Sequence, residues 1–395
     1  MSTTPVAAAT DASRTSNPLG ASCAPPPAAY PAGLQTLVPV LRSPGQRTAL
    51  APLAGSADAL AIAEIATAQS ASRRTVAVIC ADALSAQRLS DEIAWFAPAL
   101  RVAAFPDWET LPYDHFSPHQ DLVSERLATL YHLARGECDV VIVTASTALY
   151  RLVPASYLAA RTFFLSQGAR LDLPALREQL ALAGYQHVTQ VVAPGEFSVR
   201  GGLIDLFPTG STLPYRLDLF GDDIESIKTF DVDTQRTLYP MRDVRLLPAR
   251  EFPLDDEGRS RFRSRFREVF EGDPSKTGIY RDISNGVAPG GIEYWLPLFF
   301  ESTAMFSDYL PAGTTIVMHN DVAQAVDQFW QDTEARYRLL RGEKSRPLLP
   351  PTDMFVPVDA FFGGLKGFAR IDLRAAAAVD GDNLRAPTHP LPPVG

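Results

Sequence analysis

The stretch VVAPGEFSVRGGLIDLFPTGSTLPYRLDLFGDDIESIKTFDVDTQRTL, residues 191–238, decides how the middle of this chain folds. Short runs rich in Val, Ile, Leu, Phe and Tyr alternate with strong turn residues at Pro194-Gly195, Gly201-Gly202, Thr209-Gly210-Ser211 and Gly221-Asp222-Asp223. That spacing predicts a series of short strands. In YRLDLF, residues 215–220, a period of two puts Tyr215, Leu217 and Leu219 on one face and Arg216, Asp218 and Phe220 on the other. The first face can pack on a core. The second sets an arginine beside an aromatic, a combination suited to gripping a partner more than to catalysis. Counting in twos along 196–200 groups Glu196, Ser198 and Arg200, so Arg200, Arg216 and Phe220 form one patch if the two strands lie side by side. The residues alone equally allow a plainer reading. Arg216 with Asp218 and Arg200 with Glu196 would then be solvated ion pairs worth about 0.5 kcal/mol each, with Phe220 turned inward at a bulge before Gly221.

Outward from this stretch the texture changes. Upstream, a helical run at 57–68 precedes TVAVIC at 75–80, a helix at 83–96 leads to a short strand at 101–105, and a helix near 124–134 precedes a buried strand at 140–143. Helix and strand in alternation predict an α/β fold with a parallel sheet covered on both faces. Short strands and one amphipathic helix at 173–183 predict a small α+β domain ending near 247. A charged helix at 255–271, the aromatic segment 293–300, a strand at 314–318 and a helix at 322–340 follow. Residues 1–33, rich in Ala, Pro, Ser and Thr, read as a disordered tail, and 346–351 and 374–395 as linker.

Composition narrows the classes of function. With 395 residues, 46% of them hydrophobic, the chain can bury a core of domain size more than once. No apolar run approaches the roughly 20 residues of a membrane span, and the N-terminus lacks a signal-peptide pattern. Three widely spaced cysteines, Cys23, Cys80 and Cys138, suit neither a disulfide framework nor a metal knuckle, which points to a reducing cytoplasm. A net charge of −9 argues against a general nucleic-acid groove.

The strings GEFSVRGGLIDLFP and YRLDLFGDDIESI resemble the segment shared by UvrB-type excision-repair proteins and the transcription-repair coupling factors (Mfd). WETLPYDHFSPHQD at 108–121, SERLATLY at 124–131, FDVDTQRTL at 230–238 and GIEYWLPLFF at 291–300 extend the resemblance to the coupling factors over about 34–373. The resemblance implies a degenerate P-loop helicase-like parallel-sheet domain at 34–158 and 248–373, interrupted by an inserted α+β domain at 159–247. It also implies a recruiting role, the binding of UvrA, with RNA polymerase and DNA engaged by the rest of a parent ATP-dependent translocase. ATP and magnesium would belong to that motor, so no cofactor is expected here. Within the family, the arginine of VRG, the arginine of YRLD and the phenylalanine four places on contact UvrA, and these fall on Arg200, Arg216 and Phe220. The family's carboxy-terminal region masks this face, so a segment without it is expected to bind UvrA constitutively.

Three other chemistries find little support in the residues. A phosphate-cradling loop needs glycines and a lysine, but Gly55, Ser56 and Asp58 occupy the expected place, and no lysine precedes Lys228. Asp58 there would oppose phosphates. Tyr113, His115 and Phe116 could be imagined as a base-stacking platform, but 113–124 is too short for a DNA-opening hairpin, and Pro112 and Pro118 suggest a rigid packed loop. His115 and His119 have helical spacing for a metal, yet Pro118 breaks it and no further ligand follows, so no metal is expected. The alternative function is a UvrB-type ATP-driven subunit that loads onto DNA.

Overall fold

This computed structural model describes residues 43–373 apart from 51 and 54, together with the backbone of 383–384. The expectations for 1–33, and nearly all of those for 374–395, lie outside these residues. The strands run β1 (Arg47–Leu50), β2 (Val76–Cys80), β3 (Val102–Phe105) and β4 (Val140–Thr144) in the first part. The middle holds β5 (Phe163–Ser166), β6 (Gln186–His187), β7 (Glu196–Arg200), β8 (Leu203–Leu206), β9 (Tyr215–Phe220), β10 (Asp223–Phe230), β11 (Thr237–Met241) and β12 (Asp243–Leu246). Last come β13 (Thr315–His319), β14 (Ala369–Leu373) and β15 (Asn383–Leu384). The longer helices are α1 (Ala57–Ser70), α2 (Ala83–Phe96), α3 (Gln120–Ala134), α4 (Leu173–Leu182), α5 (Asp256–Val269) and α6 (Val322–Leu340). An aspartate side chain accepts a backbone N–H at the start of four of them: Asp82, Asp172, Asp255 and Asp321.

The first and last parts build one seven-stranded sheet in the order β15-β1-β14-β13-β2-β4-β3, with every pairing parallel. Its inner strands read VAVIC, VVIVT and TIVMH because both faces are covered, leaving no side for polar residues to alternate onto. On one face Val76, Val78 and Val317 meet Ile62 and Ile65 of α1 and Leu89 and Ile93 of α2. On the other, Ile79, Val143 and Met318 join Leu127 and Leu130 of α3 and the aromatic segment around Trp295 and Phe299.

The middle part forms a second sheet of six strands, β11-β10-β9-β8-β7-β6, antiparallel except where β6 joins β7. Phe197, Ile204, Leu217 and Ile227 on one face pack on Leu176 and Leu180 of α4. A separate ladder pairs β5 with β12 and sets Phe163 opposite Leu246, so this part of the chain begins and ends at one point. Against the body, Gly210 N–H donates to Ser124 Oγ at 2.8 Å and the Gln120 amide to the Ala249 carbonyl at 2.9 Å. Gly210 has a φ of +79°, and a Cβ there would lie 2.7 Å from the Ala128 methyl, so only glycine fits against α3.

Several expectations need correction. Residues 346–351 are no linker: Leu348, Leu349 and Pro351 are buried, and the Pro347 carbonyl accepts the indole N–H of Trp295. Pro-rich sequence reads as linker, but here it lines a core. The strand β14, between β1 and β13, was missed because Arg370 and Asp372 break its apolar run. Both turn out to be paired, Asp372 accepting from Arg47 and Arg370. The backbone of 383–384, read as linker, adds a short strand to β1.

Candidate functional site

Two turns shape the outer face of the six-stranded sheet. Gly201, at a φ of +61°, opens the turn from β7 to β8, and Gly221, at +63°, opens the two-residue turn that sets Phe220 opposite Asp223. Register then aligns Ser198, Asp205, Arg216 and Lys228 across four strands, and Arg200, Leu203, Asp218 and Ser226 in the next row. Phe220 lies one pleat further along β9. Opposed residues share a face, so Arg200, Arg216 and Phe220 stand on the same side of the sheet, opposite the core.

Their environments differ. The Asp205 side chain is 1% exposed, and both arginines converge on it. Arg216 Nε donates to Oδ1 at 2.6 Å and Nη2 to Oδ2 at 2.8 Å, a bidentate clasp. Arg216 Nη1 donates to the Gln235 carbonyl at 3.0 Å, and its guanidinium lies 4.7 Å from the Phe230 ring centre. Arg200 Nη2 donates to Oδ2 at 2.7 Å. The Arg216 side chain is only 15% exposed, whereas that of Arg200 is 54% exposed and Phe220 is 78% exposed. The turn 231–236 helps by folding over Arg216: Asp231 accepts from Thr234, and Gln235, at a φ of +59°, aims its carbonyl at the guanidinium.

This geometry revises the sequence reading. Arg216 does not pair with Asp218, which instead accepts from Ser226 and Lys228. Arg200 does not pair with Glu196, whose carboxylate takes the N–H groups of Val192 and Ala193. Of the three, Arg216 does not jut outward; it is tied into the sheet. Phe220 does point out. The residue that the sequence reading does not single out is Asp205, on which both arginines converge. Its signal was the hairpin arithmetic that sets it opposite Arg216 and next to Arg200's row.

The second candidate lies at the carboxyl ends of β2 and β13. Gly55, at a φ of +57°, precedes Ser56, which sits before α1 and donates from Oγ to Glu92 at 3.0 Å. Asp58, in the first turn of α1, accepts the Ala59 N–H at 2.7 Å. Arg88 of α2 chelates the same carboxylate at 2.6 and 3.1 Å, and His319 Nε2 lies 2.8 Å away. Burial pushes the Asp58 pKa up, but the bonds from His319, Arg88 and the amide outweigh it and hold the carboxyl well below its usual range. An anion therefore already sits at this helix N-terminus, and it belongs to the chain.

The loop before α3 is pinned to the body. Tyr113 is buried among Tyr294, Tyr337 and Phe355, and its hydroxyl donates to the Leu349 carbonyl at 3.0 Å. His115 Nδ1 contacts Arg346, while His119 Nδ1 accepts from Asp121 N–H at the start of α3, so the two imidazoles serve separate ends of the loop. Phe116 and His115 are exposed, a departure from the packed-loop expectation. Ser117 donates to Glu293, whose pKa burial raises to about 7. Among the described residues, no cluster of His, Cys, Asp or Glu is arranged to hold a metal, and no helix is long and apolar enough to cross a membrane.

Residues 163–252 match a protein family described as the UvrB interaction domain. The chain is also similar to proteins named transcription-repair-coupling factor. It is 44% identical to that of Escherichia coli (strain K12) over 331 residues, which is 84% of this chain and 28% of that protein. Against the Haemophilus influenzae protein the identity is 44% over 336 residues, 84% of this chain and 29% of the relative. Against that of Myxococcus xanthus it is 32% over 330 residues, 79% of this chain and 27% of the relative. The chain thus spans under a third of the length of these curated relatives. The family read from the sequence is the one the comparisons return: over most of its length the chain is homologous to a segment of the transcription-repair coupling factors, and its middle carries a UvrB interaction domain.

Proposed function

We propose that this segment is the recruiting module of a transcription-repair coupling factor, capturing UvrA on the outer face of the six-stranded sheet and bringing excision repair to a stalled RNA polymerase. The observation that carries this reading is the pairing of half-exposed Arg200 with exposed Phe220 on a face whose other polar groups are internally satisfied, inside the segment matching the UvrB interaction domain. A charge and an aromatic on a rigid sheet are the composition of a protein-binding hot spot. Residues 159–247 act as the insert, carried on a body made of 34–158 and 248–373. RNA polymerase, DNA, ATP and magnesium belong to the remainder of a longer parent protein, whose place of work is the cytoplasm.

The body is proposed to be a helicase-type domain that has lost its nucleotide chemistry. Gly55, Ser56 and Asp58 mark the former phosphate loop. The Asp58 carboxylate, chelated by Arg88 and held by His319, supports that reading, because a second anion would meet its charge. Titration of labelled UvrA with this chain tests the recruiting role. Arg200→Glu is expected to weaken capture roughly hundredfold in a chain that still folds, with a lowered melting temperature because the new carboxylate faces buried Asp205; equal capture by this variant and the wild type would remove the proposal. Measurable DNA-stimulated ATP hydrolysis by the chain would favour the UvrB-type alternative.

A further inference from the structure

We propose that Asp205 is a positioning residue for partner capture, and that Arg216 acts through it instead of touching the partner. This rests on the reading of the outer face as the UvrA-binding one. Arg216 has little left to offer a partner: its Nε, Nη1 and Nη2 each donate to an acceptor of this chain, and one face of the guanidinium covers Phe230. Arg200 is the converse. One amino group is tied to Asp205 Oδ2, and its Nε and Nη1 have no acceptor among the described residues. The carboxylate fixes the Arg200 fork with its free edge outward, on the face where Phe220 stands.

Distance along the sheet makes such fixing useful. Arg200 on β7 and Phe220 on β9 are separated by two inter-strand steps and one pleat, roughly 12 Å. A partner must therefore present an acceptor and an apolar pocket at that spacing at once. A long side chain that roams before binding loses freedom when captured, and a preformed one loses less. Arg216 supplies the other half of the device. Two guanidinium groups around one buried carboxylate leave one positive charge in excess, and the bidentate clasp from Arg216 keeps the carboxylate oriented towards β7. The complementary element on the partner is accordingly a carboxylate beside an apolar hollow.

A double-mutant cycle on the whole 395-residue chain tests this, with UvrA affinity and melting temperature both measured. Asp205→Asn keeps the side-chain shape but removes the charge that orients Arg200. It is expected to weaken capture roughly tenfold, and to weaken it less than about twofold further in an Arg200→Ala background. An equal loss in both backgrounds would mean that Asp205 acts on the fold and would overturn the proposal, as would no loss at all. If Asp205→Asn does not fold, Arg216→Lys takes its place, since lysine keeps the charge but cannot chelate the carboxylate. A loss from Arg216→Lys that persists undiminished in the Arg200→Ala background would show that Arg216 touches the partner and would sink the idea. Wild-type capture by both Arg200→Ala and Phe220→Ala would instead remove the binding face itself, and this role with it.

Discussion

Around Asp58 both cations within reach are spent on carboxylates of this chain; around Asp205 one of the two keeps a free edge. Both carboxylates are clasped bidentately by an arginine from a neighbouring element, Arg88 in one case and Arg216 in the other. At Asp58 the remaining positions are taken by the Ala59 amide and His319, and the cluster lies under α1 and α2 at the carboxyl ends of a parallel sheet. At Asp205 the third group is Arg200, half exposed, on an antiparallel sheet with one face packed on α4 and the other covered only in part, around Phe207 and Phe230 and by the turn 231–236. Beneath the helices of a doubly covered sheet an ion cluster can close on itself, each cation meeting a carboxylate of the same chain. A sheet whose second face is covered only in part leaves some groups in solvent, and those are available to a partner. The same carboxylate-centred chemistry thereby closes one site and presents another.

The largest effect that separates the two belongs to Asp58. Asp58→Ala leaves Arg88 and buried His319 without their shared anion, so unfolding stability should fall by about 3–4 kcal/mol while UvrA capture is unchanged. Its pH dependence has a definite sign. The folded pKa lies below the unfolded one, so the stabilisation is complete above about pH 4 and is lost as pH falls from there. Urea titrations of wild type and variant at pH 7 and pH 3 check this; curves that stay equally far apart at both values would contradict it.

Glu293 sharpens the comparison, because it is a carboxylate buried without a clasping arginine. Ser117 is its side-chain donor, Glu251 lies near with like charge, and Arg250 offsets little. Burial raises its pKa from 4.5 to about 7. As pH climbs through that interval the unfolded chain ionises first, so folding loses stability, by about 3 kcal/mol once pH exceeds 7. Glu293→Gln should abolish this loss. The variant should be the more stable protein at pH 8 and no better than wild type at pH 4. Denaturant midpoints at the two pH values provide the measurement.

The sequence revealed these regions unequally. Periodicity located α1, α2, α6 and the inner strands, because a doubly covered sheet demands continuous apolar runs and its helices an apolar stripe. It missed β14, where Arg370 and Asp372 disguise an inner strand whose charges are neutralised by each other and by Arg47. On the six-stranded sheet, the alternation in YRLDLF correctly separated Leu217 from Arg216 and Phe220. Pairing was another matter. Local spacing suggested Arg216 with Asp218 and Arg200 with Glu196, because residues two or four apart on one strand lie on the same side. The ions found their counterparts across the ladder instead, where opposed Cβ atoms are closer than those two apart along a strand. Cross-strand register depends on turn lengths, and Gly201-Gly202 held that information in the open. Asp205 could have been found by folding the hairpin on paper.

Phe220 gives the smallest and most selective test of the outward-facing cluster. Its ring lies beside an open groove lined by Gln167, Ile224, Arg242 and Asp243. Being largely in solvent, it contributes little to folding, so Phe220→Ala should leave the melting temperature within about 2 °C. Capture is a different matter, since an aromatic anchor that becomes buried on association is commonly worth about 1–2 kcal/mol, or roughly tenfold in affinity. Salt separates this ring from its neighbour. Loss of an apolar contact should be insensitive to ionic strength, whereas the contribution of Arg200 should shrink as salt rises. Titrations at low and high salt with Phe220→Ala and Arg200→Ala would therefore give parallel curves for the first variant against wild type and converging curves for the second. Convergence for both would mean that Phe220 works only by shaping the field around Arg200, and the face would then be electrostatic throughout.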